Sequence, residues 1–369
     1  MSRARSLPIS LAALAMLPAS LSACSEYEYI KKEGNDVYYQ EPAGEVDILL
    51  VVDNSCSMDP YQTKVADNFD SFLTYLEEAQ VEYHIGVVTT TVEVPEPQPE
   101  YNCPASVVNQ IPEGGHLVGG GWITNDTSDK EDLFNTMVEV GVCGNGAEMG
   151  LESALLALSP PISVEENLGF LRDDAYLSMI FVSDEEDGSP LPVNDYINKY
   201  REVKGQRDRD VFNASALVVL DEQECAAEVA TGSSLGSRYV DVAEQNDGVQ
   251  ASICADDFAG ILTEISLRSS RLLDTFTLTM LPAVNTLEVY VQPEGSTEED
   301  TADIEPIPCD SGQWSYTTTG EGDDLKGVIV FEREFMPAAQ SKIVVRYDYG
   351  DGDPAGWCSD AAADTAGGR

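Results

Sequence analysis

The sequence predicts an α/β fold, a doubly wound and mostly parallel sheet flanked by helices, followed by a small all-β, sandwich-like domain. Three observations carry this. Continuous apolar runs such as "VDILLVV" (46–52) and "YLSMIFV" (176–182) suit strands covered on both faces. These runs alternate with segments of 3.6-residue apolar period, the order of a parallel sheet with crossover helices. From about residue 275 the pattern changes to short β-rich segments separated by Pro, Gly and acidic turns.

In chain order, residues 1–23 read as a signal peptide: Arg3 and Arg5, then an apolar run interrupted by two prolines and too short for a membrane span. Its ending "LSAC" resembles a bacterial lipoprotein lipobox, which implies cleavage before Cys24 and lipid on that thiol; ordinary signal-peptidase cleavage is the alternative. Ser25 after the cysteine implies, by the same resemblance, an outer-membrane lipoprotein of the cell envelope, periplasmic or surface-exposed. Residues 24–44 are polar and without periodicity, and are expected to be a lipidated tether.

The α/β domain is expected over 45–272. Pro60 opens a helix with Val65, Phe69, Phe72, Leu73 and Leu76 on one face. "YHIGVVTT" (83–90) is the next strand; 91–127 is loop-like; "DKEDLFNTMVEV" and "EMGLESALLAL" are helices. After the strand ending at Asp184 come helix "VNDYINKYREVKG", strand "ASALVVL", a cysteine-bearing loop, "VQASIC", and a helix aligning Phe258, Ile261, Leu262 and Ile265. The β domain spans 273–350, with about five strands. An acidic, Gly/Ala-rich tail follows at 351–369.

The formal net charge is −46, and from Cys24 onward 18 basic face 66 acidic residues, or −48. Such a surface repels phosphates and anionic headgroups, so nucleic acid is excluded as a partner and membrane contact is expected only through the lipid anchor. With two histidines in the chain, zinc catalysis and Ser–His chemistry have little to draw on. His84 reads as a satisfied core histidine. Glu185, Glu186 and Asp187 read as a solvated acidic loop, and Asp348 to Asp353 as a turn.

Chemistry concentrates where apolar strands end in oxygen donors. In an open α/β sheet, ligands bind beyond the carboxyl ends of the strands. Asp53-x-Ser55-x-Ser57 lies at one such end and Asp184 at another. Alternate residues of an extended turn project one way, so the spacing gathers two hydroxyls and separated carboxylates around a point suited to Mg²⁺, with Ca²⁺ or Mn²⁺ as alternatives. An ion with few charged ligands stays electrophilic and accepts one more carboxylate. The competing reading is that these residues only cap the next helix.

Asp53, Ser55 and Ser57 in "VDNSCSM" and Asp184 in "IFVSDEED" resemble the metal-ion-dependent adhesion site (MIDAS) of the von Willebrand factor type A family, over roughly residues 45–272. The combination with "YHIGVVTT" is similar to exported type A proteins of Gram-negative bacteria. The resemblance implies an adhesion or protein-binding module that grips a protein or surface polymer through a carboxylate on the ion. The family's threonine is missing from "GVCGNGAEMGLESAL"; Asn145 falls nearest its place and Glu148 one turn further, where a carboxylate would shift preference toward Ca²⁺.

The chain is not expected to be an enzyme. A haloacid-dehalogenase-type phosphohydrolase with Asp53 as nucleophile is the alternative, but it needs an acid two residues on, where Ser55 stands. A structural envelope protein is a further alternative. Seven cysteines besides Cys24 leave one without an internal partner. By segment, Cys225 is expected with Cys254 and Cys309 with Cys358. The third bridge lies among Cys56, Cys103 and Cys143: Cys56–Cys143 would brace the site, and Cys103–Cys143 competes with it.

Overall fold

The structure, a computed structural model, describes residues 32–99, 102–112, 114–205, 211–230, 232–293, 304–320 and 322–358. The expected signal peptide, Cys24, the start of the tether and residues 359–369 lie outside the described residues. The strands are β1 (Glu33–Tyr39), β2 (Glu45–Val52), β3 (Glu82–Thr89), β4 (Tyr176–Ser183), β5 (Phe212–Val218), β6 (Gln250–Ser252), β7 (Thr275–Thr277), β8 (Glu288–Gln292), β9 (Trp314–Thr319), β10 (Lys326–Phe331) and β11 (Lys342–Asp348). The helices are α1 (Asp59–Ala66), α2 (Phe69–Glu78), α3 (Ala105–Val108), α4 (Lys130–Val138), α5 (Gly150–Leu158), α6 (Val193–Val203), α7 (Ala226–Val229), α8 (Ser237–Gln245) and α9 (Phe258–Ser270).

The central sheet has the order β3-β2-β4-β5-β6 and every pairing in it is parallel. Alternate residues of β2 serve opposite faces, as a strand's two-residue period requires. Ile48, Leu50 and Val52 enter a core shared with α2 and α9, whereas Leu49 and Val51 enter one shared with α5, α6 and α8. This is the α/β sandwich expected from the uninterrupted apolar runs. Asp47 is the polar exception inside β2. Its buried carboxylate accepts from Arg172 N at 2.6 Å and Arg172 Nε at 2.7 Å, which lets a charge sit in an apolar strand.

Two helical expectations need correction. The helix opened by Pro60 is not continuous: α1 ends at Ala66 and α2 begins at Phe69. Asn68 Nδ2 donates to Lys64 O at 2.8 Å, taking the carbonyl that a continuing helix would use. The cysteine-bearing stretch before β6 also contains α8, which buries Tyr239, Val242 and Ala243, an i, i+3, i+4 set that packs on β5.

The β module holds two three-stranded antiparallel sheets, β1-β11-β8 and β7-β10-β9. Phe276, Trp314, Ile329, Val345 and Tyr347 from both sheets form one core. The reading of 24–44 as a tether is corrected over Glu33–Tyr39, which pairs along its whole length with β11. The inward positions of β1 are Gly34, Asp36 and Tyr38, so apolar alternation marks it only at its last inward residue. Gly34 lies under the Tyr347 ring, where a Cβ would fall 2.4 Å from Tyr347 Cζ. Asp36 is satisfied by Thr279 N (2.9 Å), Thr279 Oγ1 (2.6 Å) and Tyr347 OH (2.7 Å). Cys309–Cys358 ties the start of the tail to this module, and Trp357 packs edge-on against Trp314. Among the described residues no helix is long and apolar enough to cross a membrane.

Candidate metal centre

The chain goes from β2 to β3 on one side, then crosses to β4 on the other side of β2. The loops after β2 and β4 therefore diverge and leave a crevice between neighbouring carboxyl ends, the switch point of an open α/β sheet. Register sets the contents. Val52 pairs with Val182, and Asp53 N donates to Val182 O at 2.9 Å, so Asp53 stands beside Ser183 with Asp184 one residue beyond.

Asp53 is fully buried. Its carboxylate accepts from Ser55 N at 2.7 Å and from Ser183 Oγ at 2.6 Å. Asp184, also fully buried, accepts from Ser57 Oγ at 3.1 Å and Ser233 Oγ at 2.6 Å. Ser55 Oγ and Ser57 Oγ lie 3.3 Å apart. The D-x-S-x-S turn and Asp184 thus meet at one point, with Ser57 on the exposed rim. The hydroxyls do not cap α1: its N-cap is Met58, and no side chain caps it.

Glu148 comes from the loop preceding α5 and is only 1% exposed. Thr90 Oγ1 donates to its Oε2, while Oε1 has no hydrogen-bond partner. Burial, then the neighbouring Asp53 charge, hold the Glu148 carboxyl well above the ordinary carboxylate range. Asp53 is raised too, chiefly by burial. Glu185 rises to about 7 through burial and the charges of Asp53 and Asp184. Crowded buried carboxylates are costly unless they take up protons or gain a cation, and a buried oxygen without a hydrogen-bond partner is one that such an ion could satisfy.

Asn145 does not reach into this cluster with a donor atom. Its Oδ1 accepts from Ala147 N at 3.3 Å and its Nδ2 faces Glu93 O at 3.5 Å, so it shapes its own loop. The side chain that this loop buries beside Asp53 is Glu148. Asp187 is not part of a solvated loop: it is buried, pairs with Arg238 Nε at 2.8 Å and accepts from Leu151 N at 3.1 Å near the start of α5. His84 Nδ1 lies 2.8 Å from Phe170 O, a satisfied half-buried histidine as expected.

Ser183, Ser233, Thr90, Thr91 and Gln62 escaped the sequence reading. Ser183 and Thr90 sit at strand carboxyl ends beside known donors, which is a usable signal. Ser233, 49 positions from Asp184, carried none. Gln62 joins the two loops, its Nε2 donating to Asp53 O and Gly141 O, both at 2.9 Å. Thr91 Oγ1 donates to Asn54 Oδ1 at 2.8 Å and accepts from Asn145 N at 2.9 Å. Gly144 packs on Asn54 so closely that a Cβ would lie 2.2 Å from Asn54 Oδ1.

Of the three cysteines near the site, Cys103 and Cys143 form the bridge and Cys56 is free and exposed. The Cys56–Cys143 alternative is not the one adopted. Cys225–Cys254 and Cys309–Cys358 form as expected.

Among the described residues, no group of three or more His, Cys, Asp and Glu side chains is arranged to hold a metal by itself. The donors here are hydroxyls interleaved with carboxylates, a hard-oxygen set that fits Mg²⁺ or Ca²⁺ and no soft metal. The orphaned Glu148 Oε1 is the structural feature that such an ion would satisfy.

Fold and site together define an α/β domain with an oxygen-lined crevice at its switch point. No family model matches the chain, and no curated protein does. Solved structures that align with the chain include proximal thread matrix protein 1 from the mussel byssus, at 13% identity and TM-score 0.38, covering 66% of this chain and 52% of that one. The same protein with a zinc-occupied MIDAS motif aligns at 14% identity and TM-score 0.36, covering 63% and 47%. The pilus adhesin SpaC from Lactobacillus rhamnosus GG aligns at 12% identity and TM-score 0.38, covering 85% of this chain and 41% of the adhesin. This chain thus spans about half or less of each. A likeness of this degree carries no inference about the ligand of this chain.

Proposed function

We propose that this protein is a type A-like binding module of the cell envelope that holds a divalent cation at Asp53, Ser55, Ser57, Glu148 and Asp184 and grips a carboxylate of a protein or surface polymer through it. The single observation that carries the reading is the buried Glu148 carboxyl, which neighbours Asp53 and whose Oε1 has no hydrogen-bond partner, at the convergence of three loops. The bound ion supplies positive charge. The protein's own part is to position the hydroxyls, and Gln62 and Ser183 hold the turn so that Ser57 stays at the solvent edge. Lipid on Cys24 and residence in the outer membrane belong to the same proposal and rest on the "LSAC" ending.

Calorimetric titration with Mg²⁺, Ca²⁺ and Mn²⁺ tests the ion. Wild type should bind one equivalent and Asp53→Asn should lose most of the affinity. Equal binding by both would remove the site. Crosslinked capture from native envelope, with and without chelator, then tests the partner. Turnover of a generic phosphoester in Mg²⁺ that disappears in Asp53→Asn would replace the binding reading with a phosphohydrolase. Mass spectrometry of the mature N-terminus should show a diacylglyceryl-modified Cys24; an unmodified terminus at another residue would remove the anchor.

A further inference from the structure

Cys56 sits between Ser55 and Ser57 and takes no part in oxygen coordination. Its Sγ donates to Val142 O at 3.5 Å, and Val142 is bonded to Cys143. Standard bond lengths then place Cys56 Sγ within roughly 6 Å of the Cys143 Cα. Cys56 also lines a cavity of about 230 Å³ together with Pro95, Gln98, Cys103, Val142 and Cys143. Both sulfur-bearing residues of the bridge therefore border the same space as the free, exposed thiol.

We propose that these three cysteines form an exchangeable relay in which Cys56 displaces Cys103 from Cys143. The Cys56 thiol gives its proton to solvent and its sulfur attacks Cys143 Sγ. The Cys56–Cys143 bond forms as the Cys103–Cys143 bond breaks. Cys103 departs as a thiolate and takes a proton from solvent. One disulfide is present before and after, so no oxidant or reductant is consumed. Chain entropy does not forbid either partner: the present loop spans 40 residues and the alternative about twice that, and closure cost grows only with the logarithm of length.

The exchange has a mechanical consequence. In the observed form the bridge ties the loop that carries Asn145 and Glu148 to the Pro-rich segment around Cys103. In the exchanged form it ties that loop to the D-x-S-x-S turn, alongside the Gln62 hydrogen bonds that already join them. Which cysteine holds Cys143 then sets how rigidly Ser55 and Ser57 face Glu148. This last consequence rests on the proposed cation site, whereas the exchange itself does not.

The test is disulfide mapping of the full-length protein without added metal. The protein is incubated at mildly alkaline pH, quenched with acid, alkylated, digested and analysed unreduced by mass spectrometry. The expected result is a second population with Cys103 alkylated and Cys56 bridged to Cys143. Cys103→Ser should close Cys56–Cys143 in air, while Cys56→Ser should hold Cys103–Cys143 throughout. The Cys225–Cys254 and Cys309–Cys358 bridges report that each variant has folded. Alkylation confined to Cys56 in all wild-type chains, or two free thiols in folded Cys103→Ser, would overturn the relay. Because the mapping contains no metal, its failure is separate from failure of the cation site.

Discussion

Replacing Glu148 by Gln preserves the size of a side chain that is 1% exposed and removes a carboxyl that, without a cation, must take up a proton to sit beside Asp53. Thr90 Oγ1 keeps an acceptor, because a Gln carbonyl can take the place of Oε2. Without metal, the substitution should therefore stabilise the fold near neutral pH, since folding no longer has to protonate a buried carboxyl whose pKa is raised above its unfolded value. Leaving such a group unpaired costs about 1–3 kcal/mol, and more when charged. With metal the sign reverses. A cation that binds only the native state adds about 2.7 kcal/mol at a hundredfold excess over Kd. For a domain of this size that corresponds to a Tm rise of roughly 5–11 °C, at about 2–4 °C per kcal/mol. Thermal unfolding followed by circular dichroism, in chelator and in saturating Ca²⁺ or Mg²⁺ at constant ionic strength, reads both effects. Glu148→Gln should melt above wild type in chelator and gain much less from metal. Diffuse screening of the −46 surface would act equally on both proteins. A chelated variant less stable than chelated wild type, with an undiminished metal increment, would mean that Glu148 serves packing alone and that the orphaned oxygen was misread.

Arg172→Met should cost about 3–5 kcal/mol in urea unfolding, because it takes the guanidinium from the buried Asp47 carboxylate and leaves it only the backbone N–H of residue 172 from that pair. Burial already raises Asp47 against the lowering influence of Arg172, so the variant's folded pKa rises further above its unfolded value. The folded state then holds the proton more tightly. The variant's deficit should shrink as pH falls toward the unfolded carboxylate range and grow as pH rises; a pH-independent deficit would refute this. Gly144→Ala must displace the Asn54 amide, so it should weaken cation binding in calorimetry while leaving the β module's unfolding unchanged. A chain starting at residue 40 loses β1 and should expose Tyr347 and the β11 edge, seen as lowered stability and dye binding; native-like unfolding would show that β1 is dispensable.

What could be read directly from the residues was local. A strand covered on both faces must be apolar throughout, so "VDILLVV" and "YLSMIFV" declared the parallel sheet and its layers. The D-x-S-x-S turn was equally legible, because its geometry depends on five consecutive residues and on the strand that leads into it. Asp184 could be placed with it, since two acid-ended strands in one sheet present their ends on one side. Tertiary structure decided whatever depends on contacts between distant segments. Glu148 matters because Thr90, 58 positions earlier, holds one oxygen while the other has no partner, in a carboxyl that neighbours Asp53. Asn145, the nearer match by position, turns back into its own loop. Strand β1 hides from a pattern of apolar alternation, because its two buried residues are a glycine under a tyrosine ring and an aspartate whose donors lie over 240 residues away. The choice of Cys103 over Cys56 as partner for Cys143 follows the same rule. Both are within the chain's reach, and only the folded positions of the loops, set by strand order and by the Gln62 bonds, bring one sulfur into bonding distance and leave the other at the rim.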